Sequence, residues 1–288
     1  MEKRSKAGPR LLSRRQIQSI HKKLMTWFAG ARRDYPWRHT HNWFHLLMAE
    51  LMLRRTRSDQ VAPIYSAFAR QYRNPSQAEK DPKGVRQQLH GLGLHWRNDQ
   101  ILETIQFLSH RYGTSSTLKQ DVDLMETPGI GEYCNSMLRS RLFGEPLAAI
   151  DSNVARVFCR IVGEEYNPEV RRKKWLKELA ARFMLVATER ESPGTNGNSG
   201  RKDPTAKSLR PGRKEAAGPQ QTRQTQESEA LRQKVSESDG FQVSKDPFEI
   251  NLSFLDLSAL ICRPGKPRCP ECPLRTHCAF ARADSESR

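Results

Sequence analysis

Apolar residues in this chain recur at spacings of three and four and do not alternate, a pattern that excludes sheet-built folds before any other feature is weighed. The pattern is carried by Phe44, Leu47, Met48, Leu51 and Met52, then by Val61, Ile64, Tyr65 and Phe68, then by Ile101, Ile105 and Leu108. It returns at Trp175, Leu179, Phe183 and Val186. Proline and glycine punctuate these runs at Tyr35-Pro36, Asn74-Pro75, Asp81-Pro82, Pro128-Gly129, Gly144 and Gly163, where helices should start or stop. Asp246-Pro247 has the form of a cap followed by a first-turn proline, predicting a late helix through Ile250, Phe254, Leu257 and Leu260. The expected class is all-α.

Not all 288 residues fit that pattern. Residues 190–240 contain no aromatic side chain, and their large aliphatics are Leu209, Leu231 and Val235, too few to offset ordering entropy. They are expected to be a disordered insert, and residues 1–15 a mobile basic arm. The chain carries 49 Lys+Arg against 32 Asp+Glu, net +17. The arm holds +5 and the insert +3, which leaves about +9 on the helical body as a face for an acidic partner. No run approaches the ~18–20 apolar residues of a membrane span, and no secretory signal opens the chain. An intracellular monomer with no membrane contact is the expectation, and its six cysteines then point to metal binding or burial rather than disulfides.

Four of those cysteines, Cys262, Cys269, Cys272 and Cys278, have the spacing C-x6-C-x2-C-x5-C at the end of the late helix. Four thiolates so close can wrap one compact centre, either tetrahedral zinc or an iron–sulfur cluster, and spacing alone does not choose. Pro264, Pro267, Pro270 and Pro273 stiffen the loop, and Arg263, Lys266, Arg268 and Arg275 make it basic. Cys134 and Cys159 fall on predicted helices as core residues.

Leu124 to Tyr133 reads as a joint between helices, and Gly129-Ile130-Gly131 allows a tight turn that presents backbone N–H groups. Such a turn is either a phosphate seat at a helix start or a plain inter-helix joint. Eighteen residues beyond Tyr133 stands Asp151, at a predicted helix start, where an acid is either a cap or a catalytic carboxylate.

Taken in order, the Pro128-Gly129-Ile130-Gly131 hairpin, the Asp151 segment and the terminal cysteines resemble the helix–hairpin–helix DNA glycosylase superfamily that includes endonuclease III and MutY. The resemblance covers roughly residues 20–189 and 241–282. It implies a six-helix lobe at 42–145 holding the hairpin, and a second lobe from 16–41 and 146–282. It implies a [4Fe–4S] cluster on the four cysteines in the loop 262–278, and double-stranded DNA bound between the lobes, with the hairpin residues Gly129, Ile130 and Gly131 on the phosphates.

The resemblance also implies residue roles. Bifunctional members carry a lysine just after the hairpin for strand cleavage. Tyr133 occupies that position, so the expected enzyme hydrolyses the N-glycosidic bond without AP-lyase activity. Asp151 matches the carboxylate that stabilises the oxocarbenium-like sugar and orients water. Glu50 is either a solvent-edge glutamate or, by resemblance, the acid that protonates the departing base. Arg54-Arg55 stands where adenine-specific members usually carry two glutamines, and no further C-terminal domain follows Cys278. The chain therefore looks closer to the archaeal MIG-type mismatch glycosylases, with thymine or uracil opposite guanine as the expected substrate of base excision repair. An adenine glycosylase and a non-catalytic iron–sulfur DNA-binding protein are the alternatives. Arg54 and Arg55 are either phosphate contacts or, for Arg55, a residue entering the base stack. Leu94 or His95, in the loop after Gly91, is the expected wedge.

Overall fold

Side chains of Ser13, Asn42, Asn74, Asp81, Asp151 and Asp246 accept the first unpaired backbone N–H groups of the helices they open. The computed structural model describes residues 11–93, 95–115, 117–189 and 243–286, with the side chains of 95 and 284–286 left out. Helix α1 (Arg14–Ala31) opens on a capping box, in which Ser13 and Gln16 satisfy each other's backbone N–H. This corrects the basic arm as drawn at 1–15: Arg14 and Arg15 are helical, and Leu12 is already buried. Asn42 caps α2 (Trp43–Met52), and α3 (Ser58–Gln71) follows. Asn74-Pro75 and Asp81-Pro82 open α4 (Pro75–Glu79) and α5 (Pro82–His90) as the sequence predicts. Helices α6 (His95–Tyr112) and α7 (Glu132–Phe143) flank the glycine hairpin.

Asp151 caps α8 (Ser152–Val162), which ends at Gly163 in the left-handed region at φ +82°. A Cβ there would lie 3.0 Å from that of Ala279, so both backbone and space require glycine. Helix α9 (Lys174–Thr188) precedes residues 190–242, so the expected insert lies outside the described residues. Asp246 and Pro247 open α10 (Pro247–Leu260), and α11 (Ala279–Glu286) closes the chain. The described residues contain no strand, and no helix among them is long and apolar enough to cross a membrane.

Helices α2, α3, α5, α6 and α7 pack through one set of neighbours, with α4 lying along α6. Helices α1, α8, α9, α10 and α11 pack through another, and α7 meets α10 where the sets join. The second set closes around Phe158, Phe183 and Phe254, whose ring centroids are 4.9 to 5.8 Å apart.

Helix α10 is buried on nearly every side, polar residues included. Its Asp256, fully buried, accepts both guanidinium ends of Arg38 at 2.7 and 2.8 Å and the Arg33 Nε at 2.6 Å. Arg38 belongs to the short 3-10 turn Pro36–Arg38, so this pair fastens the approach to α2 onto α10. Burial alone would raise the Asp256 pKa, but Arg38 and Arg33 outweigh it and hold it below the usual value.

Asp256→Ala leaves Arg38 buried without its counter-charge and should cost about 3–5 kcal/mol in denaturant unfolding. Because the folded Asp256 pKa is depressed, its stabilisation is present above about pH 4 and is lost as pH falls through the folded value. The acid limb of a stability–pH curve should therefore flatten in the variant. An unchanged limb contradicts the assignment.

Candidate active site

The helix starts and turns just described bring Glu50, Tyr133 and Asp151 together from three different segments. Glu50 lies within α2 and is only 5% exposed, so the reading of a solvent-edge glutamate fails. The Tyr133 hydroxyl, from the first turn of α7, hydrogen-bonds its carboxyl. Burial drives the Glu50 pKa up to about 7; Tyr133 opposes this, the Asp151 charge adds to it, and Arg54 and Arg38 oppose it. Burial, followed by the charges of Glu50 and Asp151, pushes the Tyr133 phenol well above its ordinary value, which keeps it neutral and a donor.

Asp151 is the N-cap of α8. Its Oδ1 accepts the N–H groups of Asn153 at 2.9 Å and Val154 at 2.7 Å, and its Oδ2 accepts the Asn153 amide at 2.8 Å. The capping role is therefore present, and it fixes the carboxylate rather than removing it from the site. The approach to Asp151 is fixed from behind by Asn251 of α10, which accepts from Ala149 N at 2.9 Å and donates to Leu147 O at 2.9 Å. On α8 the buried Arg156 bonds Asn153 Oδ1 at 3.1 Å, Cys262 O at 3.0 Å and Ser258 O at 3.3 Å, linking the aspartate segment to the cysteine loop.

The hairpin stands beside this group. Gly129 is left-handed at φ +80°, Ile130 is buried as its anchor, and Gly131 is exposed at the α7 N-cap position. Thr104 donates to Pro128 O at 2.9 Å, and the Arg54 guanidinium donates to Gly129 O and reaches Cys134 Sγ at 3.6 Å. Glu132, in the first turn of α7, is paired with Lys177 of α9 at 2.6 Å, which offsets an acid where an anion would seat. Arg55 is exposed and faces outward from a left-handed backbone at φ +56°. Leu94 lies outside the described residues, as does the His95 side chain. Beside them Trp96 is 53% exposed at the start of α6.

Three residues were missed by the sequence reading. Arg97 is buried and bonds the turn at Arg54; Asp256 and Asn251 act from α10. Polar residues within apolar helical runs were the only available signal.

Cys278 is buried, while Cys262, Cys269 and Cys272 are half-buried. Burial raises the Cys272 thiol to about 12, and the charges of Cys262, Cys278 and Cys269 add to it. Among the described residues, no three His, Cys, Asp or Glu side chains are grouped so as to hold a single ion. The Arg160 guanidinium, on α8, lies 3.2 Å from Cys262 Sγ.

No protein-family model matches the chain. A thymine-DNA glycosylase of Aeropyrum pernix is 26% identical over 95% of this chain and 99% of its own length. A thymine/uracil-DNA glycosylase of Methanothermobacter thermautotrophicus is 26% identical over 89% of this chain and 90% of its own. An adenine DNA glycosylase of Arabidopsis thaliana is 23% identical over 96% of this chain but only 39% of its own. In fold, a thermostable thymine-DNA glycosylase superposes with TM-score 0.66 at 22% identity, covering 93% of this chain and 98% of that one. Endonuclease III in a trapped covalent DNA intermediate superposes with TM-score 0.57 at 18% identity, covering 96% and 100%. In sequence the chain is thus a homologue of proteins named DNA glycosylases, and its fold is the one shared by a thymine-DNA glycosylase and endonuclease III.

Proposed function

We propose that the chain is a monofunctional DNA glycosylase that removes thymine or uracil opposite guanine in double-stranded DNA. The observation that carries this reading is the buried Glu50 carboxyl, poised to titrate near neutral pH, facing Tyr133 within range of Asp151. Two carboxyl groups in one site, one buried within α2 and one held as a helix cap, suit an acid paired with an anionic stabiliser. Glu50 gives its proton to the departing base as the C1′–N bond breaks. The cationic sugar forms against the Asp151 carboxylate, water attacks C1′, and the released proton passes to solvent or to Asp151. Tyr133 holds Glu50 in place and offers no amine for a Schiff base. The relatives named thymine-DNA glycosylase and thymine/uracil-DNA glycosylase match over nearly their whole length, which supports the pyrimidine reading. Relatives named adenine DNA glycosylase, matched over 39% of their length, support the second reading, adenine opposite guanine or 8-oxoguanine.

The four cysteines suit a [4Fe–4S] cluster. The support for it is their C-x6-C-x2-C-x5-C spacing, in which four thiolates can wrap one compact centre. The cluster, when bound, would supply a structural cross-link. Cys262, Cys269, Cys272 and Cys278 would hold it, with Arg160 offsetting thiolate charge. Purified protein should be brown, contain iron and bleach on reduction, whereas a colourless zinc protein overturns the assignment.

Duplexes bearing single G·T, G·U or 8-oxoguanine·A pairs, treated with alkali after incubation, separate the substrate readings. Release from G·T or G·U is expected, without strand cleavage before alkali. Asp151→Asn should abolish turnover and keep DNA binding, because asparagine caps a helix as well as aspartate does. Unchanged turnover in that variant would instead support a non-catalytic DNA-binding protein.

Glu50→Gln separates catalysis from stability. With a folded pKa raised to about 7, Glu50 contributes stability below its unfolded value, which is lost as pH rises through about 7. The variant should therefore be more stable than the parent at pH 8, by up to about 3 kcal/mol, while losing turnover. In the parent, base release should fall as pH rises past about 7. A variant less stable at pH 8 would show that Glu50 is not the strained group described.

A further inference from the structure

We infer that Arg97 is a positioning residue that holds Arg55 in its left-handed conformation and ties the turn 54–56 to the loop 91–93, so that both present to DNA as one edge. The inference rests on the DNA glycosylase reading for its functional consequence, but its geometry stands alone. Arg55 is the single non-glycine residue with positive φ among the described residues, and its side chain is exposed. Such a backbone persists only where its surroundings over-determine it. Arg97, two residues into α6 and 3% exposed, supplies that determination. One end of its guanidinium donates to the Arg54 carbonyl and, at 2.9 Å, to Thr56 Oγ1, bracketing Arg55 on both sides. The other end reaches the Leu92 carbonyl at 3.4 Å, beside the left-handed Gly93.

The chemistry of this contact argues against simple packing. Burying a cation is costly, and the partners of this one are two carbonyls and a hydroxyl rather than a carboxylate. Its Nε has no hydrogen-bond partner, and the nearby Arg54 charge adds to the expense. An apolar residue would fill the space, but only a rigid fork can reach the two loops at once. Arg54 meanwhile turns inward to the Gly129 carbonyl, so the same turn also abuts the hairpin.

Amide hydrogen exchange on the free protein tests the clamp, and fluorescence anisotropy tests its consequence. The probes are an intact duplex and one with a tetrahydrofuran abasic analogue opposite guanine. In Arg97→Gln, exchange should accelerate together at residues 54–57 and 91–93. Thr56→Val, which leaves no buried charge unpaired, should show the same change more weakly with an unchanged melting temperature. Arg97→Gln and Arg55→Ala should each lose about ten-fold of the preference for the abasic duplex, and the double variant should lose no more than either. Acceleration in one loop only, or additive losses, overturns the inference. Equal binding of both duplexes by the parent, with exchange behaving as expected, would instead refute the glycosylase reading and leave the clamp intact as structure.

Discussion

The buried pair of Arg38 and Asp256 sets the frame on which the site is assembled. A helix in the position of α10, enclosed by α1, α7, α8 and α9, has little reason to carry polar side chains unless they bind something fixed. Asp256 fastens the turn that leads into α2 and hence to Glu50. Five residues earlier, Asn251 fastens 147–149, the approach to Asp151. At its far end the Ser258 carbonyl receives Arg156, which also holds Asn153 and the Cys262 carbonyl. Three segments distant in sequence are thus referenced to one rigid element. This makes the relative placement of the two carboxyl groups a property of the core rather than of surface loops.

The same frame explains how a carboxyl is kept near its titration point. Glu50 is buried among apolar neighbours, which favours its neutral form, while Tyr133, Arg54 and Arg38 restrain the shift. Asp256 engages both ends of the Arg38 guanidinium, and Arg38 is the smallest of the influences on Glu50. The arrangement is unfavourable for folding, because it keeps a carboxyl buried beside the charge of a second one.

What the sequence disclosed follows from the range of the interactions involved. Caps act over two or three residues, so Asn74-Pro75, Asp81-Pro82, Asp246-Pro247 and the Asp151 cap were all readable, as was the all-α class. The helix start at Ser13 is equally local, but the basic residues around it dominated the reading and put Arg14 and Arg15 in an arm. The pairing of Glu50 with Tyr133 spans more than eighty residues, so periodicity could flag an acid in an apolar stripe but could not say what faces it. Asp256 and Arg97 were harder still. Asp256 sits between residues of the apolar pattern and Arg97 just ahead of one, where a charged side chain is ordinarily on the solvent face, and only tertiary packing turns each inward.

The adjacent arginines show why that distinction matters. In sequence Arg54 and Arg55 are adjacent basic residues, each suited to a phosphate and Arg55 also to the base stack. The backbone separates them: a left-handed residue at 55 reverses the chain, so that successive side chains leave in different directions. Arg54 goes inward, donating to Gly129 O in the hairpin and lending its charge to the electrostatics of Glu50. Arg55 goes outward into solvent, with no such internal obligation. One guanidinium therefore supports the site from within while its neighbour remains available to DNA. A substitution of either would test a different physical role, although their identity, charge and position in the sequence are all but the same.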